Sequence, residues 1–265
     1  MASRDEQKAR ARQEREARAR TEEQTARRNR RLRLLGIALA GAVVVVVAAI
    51  LISSSGGGSK GGGAQGGPVK GASEVNGRWA GVPESGFTAG DPKAPVTLVE
   101  FADLQCPFCK AAADGSLPQL VQSEVRPGKL RMEFRNFAIL GPDSEKAARA
   151  VAGAASQNKA WPFIELWYLN QGQENSGYVT DAFIQRIASA VTGLDAAKVV
   201  AASNDANNTS SIDTATADAQ KYGINSTPSY LIGRTGGALQ PLQLSDPSNP
   251  TEFTQAIDRL ANSGG

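Results

Sequence analysis

The sequence predicts an α/β domain that follows an N-terminal segment of different composition. VTLVEF (residues 96–101) is a mostly apolar stretch of strand length, and a helical pattern begins at Cys106. LRMEFRNF (residues 130–137) alternates apolar side chains with charged or polar ones, which indicates a second strand. Residues 144–222 then have helical patterns over almost their whole length, so most of the predicted helix lies in one stretch of the chain.

The predicted end of the domain is a pair of short strands followed by one helix. Tyr230–Ile232 and Leu239–Leu242 are the strand candidates, and Gly236–Gly237 between them favours a turn. Asn249 can cap a helix whose first residue is Pro250, because the first helical turn leaves its N–H groups unpaired and proline has none to lose.

The composition excludes several kinds of catalytic and metal site. The chain has no histidine, which rules out Ser–His–Asp and Cys–His nucleophile pairs and histidine-ligated zinc or haem. Its two cysteines, Cys106 and Cys109, are too few for a four-cysteine zinc site and too close in sequence to brace distant parts of a fold. We therefore expect the two thiols to act together, without a metal or a cofactor.

The first 78 residues predict a membrane anchor and a tether. Residues 1–33 carry a net charge of +6, which leaves −3 for the rest of the chain, so the basic excess indicates a cytoplasmic arm and not a nucleic-acid-binding surface. Residues 34–52 contain no charge, and a helix of that length matches the bilayer core of about 30 Å. Residues 53–78 are rich in Gly and Ser, a composition typical of flexible linkers.

The basic arm also predicts the orientation of the chain in the cell membrane. Arginines abut the apolar segment at residues 34–52, so the N-terminus should stay in the cytoplasm and the single-pass anchor should place the catalytic domain outside. Disulfide chemistry is permitted in that compartment. The alternative is a signal peptide cleaved near Ser53 or Ser55, but the apolar run exceeds the usual length of about 7–15 residues.

A CxxC motif follows the first predicted strand and consists of Cys106, Pro107, Phe108 and Cys109. A thiolate is the attacking species in disulfide exchange, and a second thiol three residues later can resolve the mixed disulfide. At the start of a helix, unpaired N–H groups lower the pKa of the first thiol, and Pro107 forfeits no hydrogen bond there. The alternative interpretation is half of a metal site, completed by carboxylates or by another subunit.

Glu100 is a carboxylate where the strand pattern expects an apolar side chain. It shares a strand face with Val96 and Leu98, and burial there would raise its pKa and place it to relay a proton from Cys109. The alternative is an acid at the strand end that reaches solvent. Asp103, in the loop before the motif, is interpreted as a turn residue or a helix-entry group.

Three motifs in this order resemble the DsbA-like branch of the thioredoxin superfamily, whose members are thiol:disulfide oxidoreductases. GDPKAPVTLVEFADLQCPFC (residues 90–109), the long helical stretch and STPSYLIG (residues 226–233) carry the resemblance. It implies an α/β, thioredoxin-like fold over residues 79–262, with an inserted helical domain at about residues 142–222. A single transmembrane helix and a flexible linker would precede this domain.

The resemblance also implies roles for individual residues. Cys106 matches the nucleophile and Cys109 the resolving cysteine, while Glu100 matches a buried acid six residues before the nucleophile. Thr227 and Pro228 match a cis-proline loop that packs against the dithiol and binds extended substrate. The residues alone favour an ordinary trans bond at this position, because most X–Pro bonds are trans.

The implied function is oxidation of cysteine pairs in exported proteins. A quinone-linked membrane oxidase would reoxidise the dithiol, and the exchange itself needs no cofactor. Strongly oxidising members of the family carry histidine where this chain has Phe108, so a reductase or isomerase of exported disulfides is an alternative. A metal-handling thiol protein is a further alternative, which the absence of histidine disfavours.

We expect the full-length chain to stay in the membrane fraction after alkaline washing, because residues 34–52 are long enough to span the bilayer. Protease added from outside should remove most of the mass. Immunoblots of washed and protease-treated membranes measure both outcomes. Recovery of only a soluble form that begins near Gly56 would contradict a retained anchor.

Overall fold

The structure, a computed structural model, describes residues 68–262 of the chain. The predicted arm, the predicted membrane helix and most of the predicted linker lie outside these residues. None of the helices between residues 68 and 262 is long and apolar enough to cross a membrane.

The strands and helices of the described residues have the following bounds. The strands are β1 (Glu84–Ser85), β2 (Thr88–Ala89), β3 (Val96–Ala102), β4 (Leu130–Asn136), β5 (Ser229–Arg234) and β6 (Gln240–Leu242). The helices are α1 (Ala72–Trp79), α2 (Pro107–Gly115), α3 (Leu117–Leu120), α4 (Pro142–Ala155), α5 (Ala160–Leu169), α6 (Asp181–Ser189), α7 (Ala196–Asn204), α8 (Ser210–Tyr222) and α9 (Pro250–Asn262). A π-helical turn, Val121–Val125, follows α3 directly.

The strand β3 lies inside a six-stranded mixed sheet whose order is β1-β2-β4-β3-β5-β6. It runs parallel to β4 and antiparallel to β5. All seven of its residues are buried, as expected of a central strand covered on both faces. The parallel pair needs a crossover connection, and α2 and α3 supply it between β3 and β4.

Alternate side chains of β3 enter two different apolar clusters, because successive residues of a strand point to opposite faces. Leu98 belongs to the larger cluster, which also contains both cysteines. Phe101 belongs to the smaller cluster, where its ring packs edge-on against Phe137 with 6.2 Å between centroids. Glu100 is two residues after Leu98, so the strand directs its carboxyl into the larger core.

The helices α4–α8 lie between β4 and β5, where the sequence predicts a helical insertion. Nearly all of α5 is buried, and Trp167 packs edge-to-face against Phe183 of α6 at 4.8 Å. α4 approaches α7 closely at Gly153, where an added Cβ would lie 2.7 Å from the Cβ of Ala202. Trp167 also donates a hydrogen bond to the carbonyl of Leu104, so the insertion contacts the loop between β3 and α2.

The folded domain begins earlier than the sequence predicts. The linker was expected to extend to residue 78, but α1 is helical from Ala72 and its residues Val75 and Trp79 are buried. The Trp79 ring stacks on Trp161 at 5.7 Å, and its Nε1 donates to Glu165 Oε2 at 2.6 Å. The expected boundary at residue 78 is therefore wrong. The sequence did not reveal this helix, because two buried residues four positions apart are too few to show a helical period.

The hairpin of β1 and β2 was also not predicted. Each strand has two residues, which is too short to show an alternating pattern. Their position is decided by the antiparallel pairing of β2 with β4, which extends the sheet on the side away from β5.

Candidate active site

Cys106 lies at the N-cap of α2, directly after the loop that leaves β3. Its backbone is extended, with φ −67° and ψ 121°, while Pro107 occupies the first turn of the helix. The sulfur of Cys106 accepts a hydrogen bond from the Cys109 N–H at 3.4 Å. The sequence therefore correctly predicted that Cys106 lies at the N-terminus of a helix.

The two thiols have opposite electrostatic environments. The pKa of Cys106 is lowered from 9.0 to about 6, mainly by its hydrogen bond with the Cys109 thiol. Hydrogen bonds with the Thr227 side chain and with the N–H groups of Phe108 and Cys109 lower it further. The pKa of Cys109 is raised well above 9.0, mainly because burial disfavours its charged form. Both cysteines are free thiols here, so near neutral pH Cys106 is ionised and Cys109 is protonated.

Glu100 is buried in the larger core, as expected from its strand face. Its Oε1 accepts a hydrogen bond from the Tyr230 hydroxyl at 3.3 Å. Burial raises its pKa from 4.5 to about 7, the Tyr230 hydrogen bond opposes this shift, and the charge of Cys106 adds to it. The alternative of a solvent-facing acid is excluded by the burial.

Glu100 is electrostatically coupled to the dithiol. Its charge is among the causes that raise the pKa of Cys109. A cavity of about 10 Å³ adjoins Glu100, Tyr168 and Tyr230 beneath α2, which is close to the smallest space that holds one water molecule. The geometry therefore places a titratable group, and a space for about one water molecule next to it, on the buried side of the motif.

Thr227 and Pro228 lie on the other side of Cys106. The bond between them is cis, as the family resemblance implies and contrary to the expectation from the residues alone. The Cys106 sulfur lies 3.4 Å from the Thr227 carbonyl oxygen, to which it can donate only in its protonated form. A groove of about 360 Å³ beside Pro228 is lined by the residues around this loop, by β6 and by the segment that follows β6.

Phe108 and Ile139 are the large apolar side chains that residues 68–262 expose to solvent, at 73% and 44% of their surface. Phe108 is in the motif itself, and its backbone N–H contributes to the lowered pKa of Cys106. Ile139 lies in the loop after β4, and its N–H donates to Asp103 Oδ2 at 2.8 Å. The exposed Phe108 side chain therefore lies within the motif. The exposed Ile139 residue is bound through its N–H to Asp103, in the loop that precedes the motif.

Asp103 has a larger structural role than the turn or helix-entry role expected of it. Its Oδ1 accepts from the Gln105 N–H at 2.8 Å and from the Ser144 hydroxyl at 2.7 Å, while its Oδ2 accepts from Ile139 and Leu140. Four donors satisfy the buried carboxylate, which ties the loop before Cys106 to α4 and to the loop after β4. The sequence did not indicate this set of hydrogen bonds, because three of the donors lie about forty residues after Asp103 in the chain.

Metal-ligand clusters are not evident in this part of the chain. Among residues 68–262, no group of three or more His, Cys, Asp and Glu side chains is arranged to hold a metal ion.

A family described as Thioredoxin matches residues 83–259, which is more than half of the chain. This chain belongs to the thioredoxin family. Among solved structures, a thioredoxin-like oxidoreductase from Silicibacter pomeroyi is 31% identical, with a TM-score of 0.52 over 67% of this chain and 92% of that one. Oxidised BdbD from Bacillus subtilis has a TM-score of 0.59 over 69% of this chain and 99% of that one, and at 20% identity it supports the fold alone.

Curated relatives match a shorter stretch of this thioredoxin-family chain. A protein named probable disulfide bond formation protein D from Bacillus cereus is 33% identical over 100 residues, which are 37% of this chain and 46% of that protein. The chain thus spans about half the length of the curated relatives it matches.

Replacing Glu100 with Gln should change how stability depends on pH. The pKa of Glu100 is raised from 4.5 to about 7 in the folded state, so the folded protein binds this proton more tightly than the unfolded chain does. The stability that the group contributes is full below pH 4.5 and is lost as the pH rises towards 7. Glu100→Gln should therefore be more stable than wild type at pH 8, by roughly 2–3 kcal/mol, and little different at pH 4.5.

Denaturant unfolding of the reduced protein at the two pH values measures this difference. Glu74→Gln, an exposed substitution on α1, is the matched control and should show no such dependence. Thiol–disulfide exchange with a model peptide should also slow in Glu100→Gln, because the proton acceptor coupled to Cys109 is lost. Wild-type stability and wild-type exchange in Glu100→Gln would exclude the proton-relay role.

Proposed function

We propose that this chain is a protein thiol–disulfide oxidoreductase that oxidises cysteine pairs of exported proteins through Cys106 and Cys109. The observation that carries the proposal is the opposite environment of the two thiols within one helical turn. A thiol whose pKa is lowered to about 6 is a good attacking and leaving group, and the shielded partner is suited to resolve a mixed disulfide. The name of the Bacillus cereus relative supports the same chemistry.

The proposed reaction transfers two electrons from the substrate dithiol to the Cys106–Cys109 disulfide. A substrate thiolate attacks the Cys106 sulfur, a mixed disulfide forms, and Cys109 leaves and takes up a proton. The second substrate thiolate then attacks the substrate sulfur of the mixed disulfide. Cys106 leaves as a thiolate, which is its stable form near neutral pH because its pKa is lowered to about 6.

Glu100 is the proposed proton donor and acceptor for Cys109. The Cys109 thiol is buried and has a raised pKa, so it cannot easily exchange protons with solvent on its own. A carboxyl with a pKa of about 7 gives and accepts protons near neutral pH. The charge of Glu100 is among the causes that raise the pKa of Cys109, which supports this coupling of the two groups.

Substrate binding is proposed at the loop that contains Thr227 and Pro228. This loop lies against Cys106 and opens onto the groove beside Pro228. The exposed Phe108 ring, two residues after Cys106, offers a further apolar contact for the substrate. An extended cysteine-containing segment of an unfolded protein fits this arrangement of backbone acceptor, groove and apolar side chain.

The stabilisation of the Cys106 thiolate supports the oxidising direction. Each unit by which the thiol pKa falls stabilises the reduced form by about 1.4 kcal/mol, or about 30 mV for a two-electron couple. In this chain the lowering comes from Cys109, Thr227 and backbone N–H groups, without the histidine of strongly oxidising relatives. Reduction or isomerisation of exported disulfides is the alternative direction for the same dithiol.

The proposed location is outside the cytoplasmic membrane. The uncharged segment at residues 34–52 and the basic arm before it support a retained anchor with the catalytic domain on the outer side. A thiol oxidase of this kind must be reoxidised after each cycle, and a quinone-linked membrane oxidase is the proposed partner, on the basis of the family resemblance.

Cysteine variants should separate the roles of the two thiols. Cys109→Ser should accumulate mixed disulfides with exported proteins, because the thiol that resolves them is missing. Cys106→Ser should accumulate few or none, because the remaining thiol is buried and protonated. Non-reducing gels after acid quenching measure the adducts, and equal trapping by the two variants would contradict the assignment.

A redox titration against glutathione should separate oxidase from reductase. The stabilised Cys106 thiolate predicts a potential above the value of about −270 mV for thioredoxin, in the direction of the value of about −120 mV for DsbA. A potential at or below that of thioredoxin would support reduction of exported disulfides instead. The fraction of reduced dithiol can be read from alkylation-dependent mobility shifts.

A further inference from the structure

The helical insertion donates several hydrogen bonds to the loop between β3 and α2. The carbonyl of Leu104 accepts from Gln171 Nε2 at 2.8 Å, from Trp167 Nε1 at 2.9 Å and from the Tyr178 hydroxyl at 3.1 Å. Trp167 belongs to α5, while Gln171 and Tyr178 belong to the segment between α5 and α6. None of these three side chains takes part in the exchange steps proposed above.

Gln171 differs from the other two donors because it also reaches the nucleophile residue. Its Nε2 lies 3.2 Å from the carbonyl oxygen of Cys106, which also accepts the N–H of Lys110 at 3.1 Å in the first turn of α2. A primary amide carries two N–H donors on one nitrogen, so one side chain can serve both carbonyls at once. Gln171 therefore joins the peptide group that precedes Gln105 to the peptide group that follows Cys106.

These two carbonyls bear on the Cys106 thiolate in two ways. The backbone torsions of Cys106 decide whether its sulfur stays within reach of the Cys109 N–H, and a hydrogen bond to the Cys106 carbonyl restrains them. The Cys106 carbonyl oxygen also carries partial negative charge within the same residue as the thiolate, and the N–H donors bound to it offset that charge. Both effects favour the ionised form of Cys106.

We propose that Gln171 is a positioning residue for the exchange reaction, which holds the Leu104 and Cys106 carbonyls so that the Cys106 sulfur stays over the N-terminus of α2. The inference rests on the proposed function, in which Cys106 is the nucleophile. The segment after α5 thereby helps to set the reactivity of the dithiol, although Gln171 lies 65 residues after Cys106 in the sequence.

Gln171→Met tests the proposal, because it keeps the length of an unbranched side chain and removes both donors. The pKa of Cys106, followed by ultraviolet thiolate absorbance of the full-length chain, should rise by roughly half a unit to one unit. The equilibrium with glutathione should shift roughly three- to tenfold towards the disulfide, since the reduced form loses thiolate stabilisation.

Three further variants separate positioning from a general effect on folding. Gln171→Lys keeps a donor and adds a positive charge, so the pKa of Cys106 should lie at or below the wild-type value. Tyr178→Phe removes a donor to Leu104 but none to Cys106, so its shift should be smaller than that of Gln171→Met. Gln173→Met, an exposed substitution in the same segment, is the matched control and should leave the pKa unchanged.

If Gln171 had a merely structural role, its substitutions would lower the unfolding temperature, but the Cys106 pKa would not differ among the variants in the predicted order. The proposal is overturned if Gln171→Met keeps the wild-type pKa, if Gln173→Met shifts it equally, or if the Met and Lys variants shift it in the same direction. If Gln171→Met does not fold, a raised pKa in Gln171→Lys is the contradicting result and a wild-type or lowered pKa the supporting one. A wild-type protein without a low-pKa thiol would instead contradict the proposed function, because Cys106 would then not be activated.

Discussion

The sulfur of Cys106 occupies the place of the oxygen that ordinarily caps a helix, and the chemistry of the site depends on this interaction. It accepts the Cys109 N–H at 3.4 Å at the N-terminus of α2. An anion is favoured there because the first N–H groups of a helix have no partners within the helix. One turn later the same helix buries Cys109 in the core, so a single helix start gives two neighbouring thiols opposite acidities.

Two buried acids near the motif differ in the number of hydrogen bonds that they accept. Asp103 accepts four hydrogen bonds and joins three segments of the chain. Glu100 accepts one, from Tyr230, and the desolvation of its charge is therefore poorly offset, which raises its pKa to about 7. The first arrangement stabilises the loop before the dithiol, and the second provides a group that exchanges protons near neutral pH.

The helical insertion does more than cover one face of the sheet. Its helix α5 is nearly all buried, and Trp167 near the end of α5 donates to the Leu104 carbonyl in the loop before α2. Lys110 adds a contact between α2 and α5, since its Nζ donates to the Tyr168 carbonyl at 2.7 Å. A site on a short loop can in this way be held by helices that the chain adds sixty residues later.

The sequence by itself determined the local features of this protein: a buried strand at residues 96–101, a CxxC motif at a helix start and a C-terminal helix that begins at Pro250. These features depend on neighbours within a few residues, so periodicity and capping residues are enough to show them. The tertiary structure decided the hydrogen bond between Tyr230 and Glu100, the cis bond at Pro228 and the hydrogen bonds of Gln171. It also placed the start of the domain at α1, before residue 78. Each of these depends on side chains brought together from distant parts of the chain, as with the 121 residues that separate Cys106 from Thr227, and local sequence patterns carry no record of such contacts.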